Sequence, residues 1–281
     1  MTALMRSTHN NLRMPCPLVP RHSRSSLPVL VLLGLAAAGG GALSPPCPAQ
    51  GGPPLVTDDP DTPPNGHWEI NMAAIGVQTP GLKQLSLPDA DINYGWGDHI
   101  QLKVDTPWLL SKSDGGPVLS GLGGSELGVK WRFLDREIAG FSMSTYPQVL
   151  INFVPATYRR GLTEPGQTWL LPLEASTELS GFGLDGEVGR YLSTSPLTRA
   201  VEPNAWAAGA IVSRECLPQL QCLLELRQTL APQDAQTFIN LGGRRKLSDS
   251  LALMFAVGHD FGPMSYDHNE LLFYLGVQVL R

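Results

Sequence analysis

From Trp68 onward, apolar side chains recur at every second position in segments of roughly ten residues. This spacing predicts strands at His67–Gln78, Leu85–Trp96, His99–Leu109, Ser125–Leu134, Ile138–Phe153 and Gln167–Leu179. It continues at Phe182–Ser193, Ala205–Glu215, Cys222–Ala231, Gln236–Leu247, Ser250–Phe261 and Glu270–Leu280. The connections alternate in length. Gly97-Asp98, Asp135-Arg136, Ser180-Gly181, the turn bracketed by Cys216 and Cys222, and Ser248-Asp249 are short. The Gly/Ser/Pro stretch before Ser125, PATYRRGLTEPG, the segment holding Pro196 and Pro203, and GPMSYDHN are long; the first and fifth connections on that side are of medium length. Antiparallel strands with tight turns at one end and loops at the other predict an all-β, closed transmembrane β-barrel of about twelve strands, within a range of ten to fourteen.

The faces of the strands agree. Ile100, Leu102 and Val104 oppose Gln101, Lys103 and Asp105; Leu127, Val129, Trp131 and Phe133 oppose Glu126, Lys130 and Arg132. Leu171, Leu173 and Ala175 oppose Glu174 and Ser176, and Leu224 and Leu226 oppose Glu225 and Arg227. Leu251, Leu253, Phe255 and Val257 oppose mostly small residues. A soluble sandwich would show the same alternation with the apolar side turned inward. The tryptophans favour the barrel: Trp68, Trp96, Trp108, Trp131, Trp169 and Trp206 all take the apolar parity and sit near strand ends. Indole prefers the headgroup level of a bilayer, so two aromatic girdles predict this placement, whereas a sandwich core more often buries tryptophan mid-strand.

The N-terminus bears on compartment. Arg6, Arg13, Arg21 and Arg24 precede an apolar run from Leu27 to Leu43, shorter than the roughly 20 residues of a membrane-spanning helix. Residues 1–49 read as a secretory signal peptide cut before Gln50, with Met5 or Met14 as alternative starts. An acylated Cys47 is the lesser reading, because Ser44-Pro45-Pro46 lacks the small-residue lipoprotein pattern. The whole chain has 20 Lys+Arg against 25 Asp+Glu; without the leader's four arginines it carries a net charge of −9, which gives no basis for nucleic-acid binding. Residues 50–66, rich in proline, read as an extended N-terminal arm before the barrel of residues 67–281. Asp58, Asp59 and Asp61 do not have EF-hand spacing and are expected to form a solvated turn rather than an ion site. Cys216 and Cys222 are expected to form a disulfide in an oxidising compartment.

Any function should lie on the inward face. On this parity it carries Glu69, Asp91, Lys103, Asp105, Glu126, Lys130, Arg132, Glu174, Glu178, Asp185, Glu187, Glu225 and Arg227, nine acids against four bases. Charges in a confined lumen need water or partners. Either the lumen is wet, with an acid excess that favours cations, or cross-barrel ion pairs fill it. Enzymatic chemistry has little support. The mature chain offers His67, His99, His259 beside Asp260, and His268 between Asp267 and Glu270, with no Gly-x-Ser-x-Gly, zinc-type Cys/His pattern or nucleotide fingerprint. No cofactor or metal is expected.

Three stretches carry a family likeness: Thr57-Asp58-Asp59-Pro60 through Gly66-His67-Trp68-Glu69-Ile70-Asn71, Asn93-Tyr94-Gly95-Trp96-Gly97-Asp98, and Glu126-Leu127-Gly128-Val129-Lys130-Trp131-Arg132-Phe133. In these the chain resembles a Gram-negative family of exported β-barrels labelled with the meta-pathway of phenol degradation, or simply as transporters. The resemblance spans most of the mature chain and rests on strand-and-turn patterns. It implies an outer-membrane barrel that takes up aromatic or other hydrophobic compounds. One departure is the ending Gln278-Val279-Leu280-Arg281, which lacks the terminal aromatic typical of recognition by the barrel-assembly machinery. The expectation is therefore an outer-membrane channel with both termini periplasmic, embedded in the lipid bilayer and serving a small solute. The alternatives are a non-conducting structural or adhesive barrel and, less favoured, an outer-membrane enzyme.

Overall fold

Strict alternation commits each strand to one face inward and one outward, and successive hairpins then curl into a ribbon that can close. In the computed structural model, which describes residues 52–194, 205–231, 235–262 and 268–281, it does close. The strands are β1 (Trp68–Thr79), β2 (Leu82–Trp96), β3 (Ile100–Ser113), β4 (Val118–Leu122), β5 (Ser125–Leu134), β6 (Ser142–Thr145) and β7 (Gln148–Ile151). They continue as β8 (Gln167–Leu179), β9 (Phe182–Ser193), β10 (Trp206–Leu217), β11 (Leu220–Leu230), β12 (Ala235–Ser248), β13 (Leu251–Phe261) and β14 (Leu271–Leu280). Short helical turns α1 (Arg136–Ala139) and α2 (Pro155–Arg159) are the helices among the described residues.

β4 and β5 are two halves of one strand, since both pair with β3 on either side of Gly123-Gly124. β6 and β7 are likewise halves, both lying between β5 and β8 and broken at Tyr146-Pro147. Counted so, there are twelve antiparallel strands, and β1 pairs with β14 from Glu69↔Leu280 to Gln78↔Leu271 to close the barrel. The end carrying Trp68 and Leu280 is called the terminal end below, and the opposite one the loop end.

Burial is inverted relative to a protein that folds around an apolar core. On β5, Val129 and Trp131 are 50% and 55% exposed, while Lys130 between them is 1% exposed. Glu174 and Glu225 are fully buried, and their neighbours Leu173, Leu224 and Leu226 face out. A wall of this kind suits hydrocarbon outside and a polar interior.

Turn chemistry sets the register at the terminal end. Ser180 and Gly181 both take positive φ (54° and 78°), the conformation a two-residue hairpin needs to follow strand twist. Cys216 and Cys222 are joined across the neighbouring β10–β11 turn, with a Cα–Cα distance of 5.8 Å.

Three expectations about connections are corrected. The long loop expected between Leu109 and Ser125 is mostly strand: β3 runs on to Ser113, and Lys112 pairs with Val118 after a tight reversal. The first connection shrinks to Pro80-Gly81, because Leu82 already pairs with Thr79. The strand expected from Ile138 begins only at Ser142, because Arg136–Ala139 turn helically and end on Gly140 in the left-handed conformation (φ 80°). Loop and turn lengths therefore alternate less regularly than the sequence suggests.

Candidate functional site: a lumen shared with the N-terminal arm

The arm lies inside the barrel. Thr57 is fully buried and Asp59 is 6% exposed, so the expected solvated turn is corrected. The reason is a shortage of donors on the barrel wall. Glu225 on β11 accepts the backbone N–H groups of Thr57 at 2.6 Å and Val56 at 3.2 Å, and Glu187 on β9 accepts that of Asp58 at 3.1 Å. Arg244 on β12 donates to the Pro53 carbonyl at 2.7 Å, and Arg227 donates to Thr57 Oγ1 at 3.3 Å. Across the lumen, Lys130 on β5 pairs with Asp58 at 3.0 Å and donates to the Asp59 carbonyl.

Leu55 supplies the apolar anchor, packing with Ala73, Ile211, Leu223, Met254, Ala256 and Tyr274 from five strands. Two glycines make room for the chain. A Cβ on Gly209 would lie 2.0 Å from Thr57 Oγ1, and one on Gly95 would lie 2.2 Å from the Pro63 and Pro64 carbonyls.

The arm carboxyls feel this environment unequally. Burial alone would raise the Asp58 carboxyl, but the Lys130 and Lys103 ammoniums outweigh it and hold the group below its ordinary range. Burial pushes Asp59 well above that range, only partly offset by Lys130 and reinforced by Asp61, Asp58 and Asp185. Burial likewise raises Asp61, against the opposing charges of Arg132 and Arg136.

The inward residues expected from parity fall into three groups. Lys130, Glu174, Glu187, Glu225 and Arg227 grip or adjoin the arm: Glu174 lies 3.6 Å from Lys130 and accepts a hydrogen bond from Ser144, and Arg227 pairs with Glu187 at 3.0 Å. Glu69, Asp91, Lys103, Asp105 and Glu126 line the wall opposite. There Asp91, Asp105 and Glu126 stand side by side in register on β2, β3 and β5, with Lys103 2.8 Å from Glu126 and 4.0 Å from Asp91. Arg132 and Glu178 belong to the terminal rim, Arg132 with Asp135 at 2.8 Å and Asp61 at 3.7 Å, and Glu178 with Arg136 at 3.5 Å. Asp185 is buried on β9.

Parity by charge missed the uncharged members. Asn71 and Asn93 donate to Asp91 at 3.0 and 3.1 Å, and Gln101 donates to Asn93 at 2.7 Å and to the Tyr146 hydroxyl at 3.0 Å. Arg244 and Arg136 were missed as inward bases. The signal that could have shown the arm's place is the small inward residues Ala207 and Gly209 on β10 and Gly242 on β12, which leave a hollow facing carboxylates with few bases nearby.

Beside the arm a cavity of about 540 Å³ remains. Asp58, Asp59 and Asp61 of the arm form one side, and Glu69, Asp91, Asn93, Gln101, Lys103 and Tyr146 the other. Asp249 and Arg281 at the terminal end also line it. At the loop end, residues after α2 fold against the inner face of β4: Arg160 donates to the Ser120 carbonyl at 2.9 Å, and Leu162 is 2% exposed. His259 and His268 sit near that rim with ring centroids 5.5 Å apart, His259 Nδ1 lying 2.7 Å from the Glu270 carbonyl. Among the described residues no three His, Cys, Asp or Glu side chains are grouped to hold a metal ion. The six tryptophans all point outward, Trp68, Trp96 and Trp131 towards the terminal end and Trp108, Trp169 and Trp206 towards the loop end.

No family model and no curated protein matches the chain. Solved structures do match in fold. An outer membrane channel from Pseudomonas putida F1 superposes with a TM-score of 0.58 at 12% identity, over 81% of this chain and 99% of that one. The KdgM porin gives a TM-score of 0.51 at 10% identity, over 75% and 98%. The NanC porin gives 0.50 at 6% identity, over 75% and 98%. The fold of this chain is that of outer-membrane porin-like barrels.

Proposed function

We propose that this chain is an outer-membrane channel with a lumen divided between its own N-terminal arm and a polar path along β1, β2, β3 and β5. The cavity beside the arm carries the reading, because it places Asp91 and Lys103 against the arm's three carboxyls in a space large enough for water and small solutes. Asp91 also belongs to the carboxylate row with Asp105 and Glu126, so the path favours cations and small polar solutes. The resemblance implies aromatic or hydrophobic compounds; a lining of carboxylates, amides and ammoniums around Tyr146 makes these the less favoured cargo. On this reading residues 1–49 are the export signal, the terminal end faces the periplasm with both termini, the six tryptophans form two interfacial girdles, and the assembly machinery inserts the barrel. No step of catalysis is assigned to it.

A second reading, a closed structural barrel, is favoured by the arm's bonds to opposite walls. Single-channel recording of the mature chain in a planar bilayer under a salt gradient separates the two. Stable steps with cation preference, reduced by Asp91→Asn with Glu126→Gln, support the channel. Silence from protein shown to be inserted supports the closed barrel. Block by phenol, but not by small cations, would restore the aromatic assignment.

A further inference from the structure

The outward face of the β9–β10 pair carries two cations where a lipid-facing wall should carry none. Arg190 and Trp206 are cross-strand partners near the loop end, and the Arg190 guanidinium lies 5.0 Å from the centre of the indole ring. At the other end of the same pair, the Arg214 guanidinium lies 4.8 Å from the Phe182 ring. Between these two stacks the outward side chains are Leu184, Gly186 and Val188 on β9 and Ala208, Ala210 and Val212 on β10, all of them apolar or glycine. Among the described residues no carboxylate pairs with either arginine. Stacking on a ring fixes the guanidinium plane but leaves its donors free.

The spacing sets the depth. Trp206 and Arg214 are eight residues apart on one strand, about 26 Å at roughly 3.3 Å per residue. A strand tilt of about 40° reduces this to about 20 Å along the barrel axis, and outward apolar bands are about 25 Å tall, so both guanidiniums reach headgroup level by extending outward. The groups at that level that match a planar, multi-donor cation are phosphate esters.

We propose that the β9–β10 face is a lipid-binding rail, with Arg190–Trp206 and Arg214–Phe182 each holding the phosphate of a membrane lipid whose acyl chains lie along the apolar strip between them. This rests on the reading of the wall as membrane-embedded. The test uses the full mature chain in mild detergent, with native mass spectrometry of bound phosphatidylglycerol and of diacylglycerol with the same acyl chains. The wild type is expected to retain phosphatidylglycerol and not diacylglycerol. The Arg190→Gln, Arg214→Gln double variant is expected to bind phosphatidylglycerol about tenfold more weakly, equivalent to about 1.4 kcal/mol. Lys83→Gln, which removes an exposed cation elsewhere, is expected to leave retention unchanged.

Equal retention by the double variant, or equal retention of diacylglycerol, would overturn the proposal. So would displacement of the lipid by millimolar inorganic phosphate, which would make the sites free-anion sites. Heat-modifiable migration on a gel shows that the variant is folded. Failure of the wild type to insert into vesicles, or its solubility without detergent, would sink the membrane reading itself and is a separate result from loss of lipid specificity.

Discussion

Glu225→Gln is the sharpest probe of the arm. The carboxylate is fully buried and accepts two arm amides, at 2.6 and 3.2 Å, besides the Asn240 amide at 3.1 Å. A hydrogen bond to a charged acceptor is worth about 1.5–3 kcal/mol net, against about 1 for a neutral one. An amide of the same shape keeps one acceptor oxygen and sets an NH2 against the other arm N–H, so one arm bond weakens by about 1 kcal/mol and the other is lost at about 2, together about 3 kcal/mol. That corresponds to a shift of roughly 150-fold in the docking equilibrium. Amide hydrogen exchange of the chain in detergent reads it directly. Val56 and Thr57 should exchange about 150-fold faster in the variant, while amides of the β1–β14 closure should keep their protection. Unchanged exchange at Val56 and Thr57 would refute the claim that wall carboxylates hold the arm. Equal acceleration across the barrel would show that Glu225 serves the fold rather than the arm.

Leu55→Ala should release the arm to proteolysis without lowering the barrel's unfolding midpoint, because its apolar partners all belong to the wall; a core leucine truncation costs about 2–5 kcal/mol. Docking should also depend on pH. The docked Asp59 and Asp61 carboxyls are raised above the ordinary 3.8, so their contribution is complete below that value and is lost as pH rises through the docked range; Asp58 is lowered, so its contribution is present above 3.8 and is lost as pH falls. Arm protection factors, with the intrinsic base catalysis of exchange divided out, should therefore be greatest in weak acid near pH 4 and smaller at neutral pH and above, and protection that grows towards pH 8 would contradict the assignment. Replacing Cys216 and Cys222 by serine opens a short covalent loop and should cost the barrel about 2 kcal/mol on the chain-entropy account, read as a lower urea midpoint with channel conductance unchanged.

The wall was legible and much of the lumen was not, for one physical reason. A strand in a membrane barrel announces itself through side-chain alternation, so β5, β8, β11 and β13 could be placed to within a residue or two. Composition misled at Leu109–Ser125, where glycine, serine and proline suggest a loop, yet Leu119 and Leu122 continue the ladder opposite Ser111 and Trp108. The arm left little trace in the sequence because backbone amides and carbonyls make most of its bonds, and these groups do not depend on the side chain. The charge row missed Asn71, Asn93 and Gln101 because amides carry hydrogen bonds without carrying charge.

The acid excess of the lumen and the arm are two halves of one arrangement. Glu225 has no lysine or arginine as ion-pair partner among the described residues, and Glu187 shares Arg227 with Thr57 and Tyr191. Buried carboxylates need donors, and here the arm provides three of them as backbone N–H groups at Val56, Thr57 and Asp58. When the arm leaves, Glu187 and Glu225 lose those donors, while Lys130 loses Asp58 and keeps Glu174 and the Tyr146 ring. Water and cations must then fill the space. The undocked lumen should therefore be wider, but it also gives up the arm's three carboxyls and leaves Lys130 and Arg132 without Asp58 and Asp61, so it is less cation-attracting than the docked one. In recordings, transitions to a larger conductance should bring a fall in cation preference, and Glu225→Gln should raise the frequency of those transitions. A larger state that gains cation preference would show that something other than the arm's departure opens the lumen.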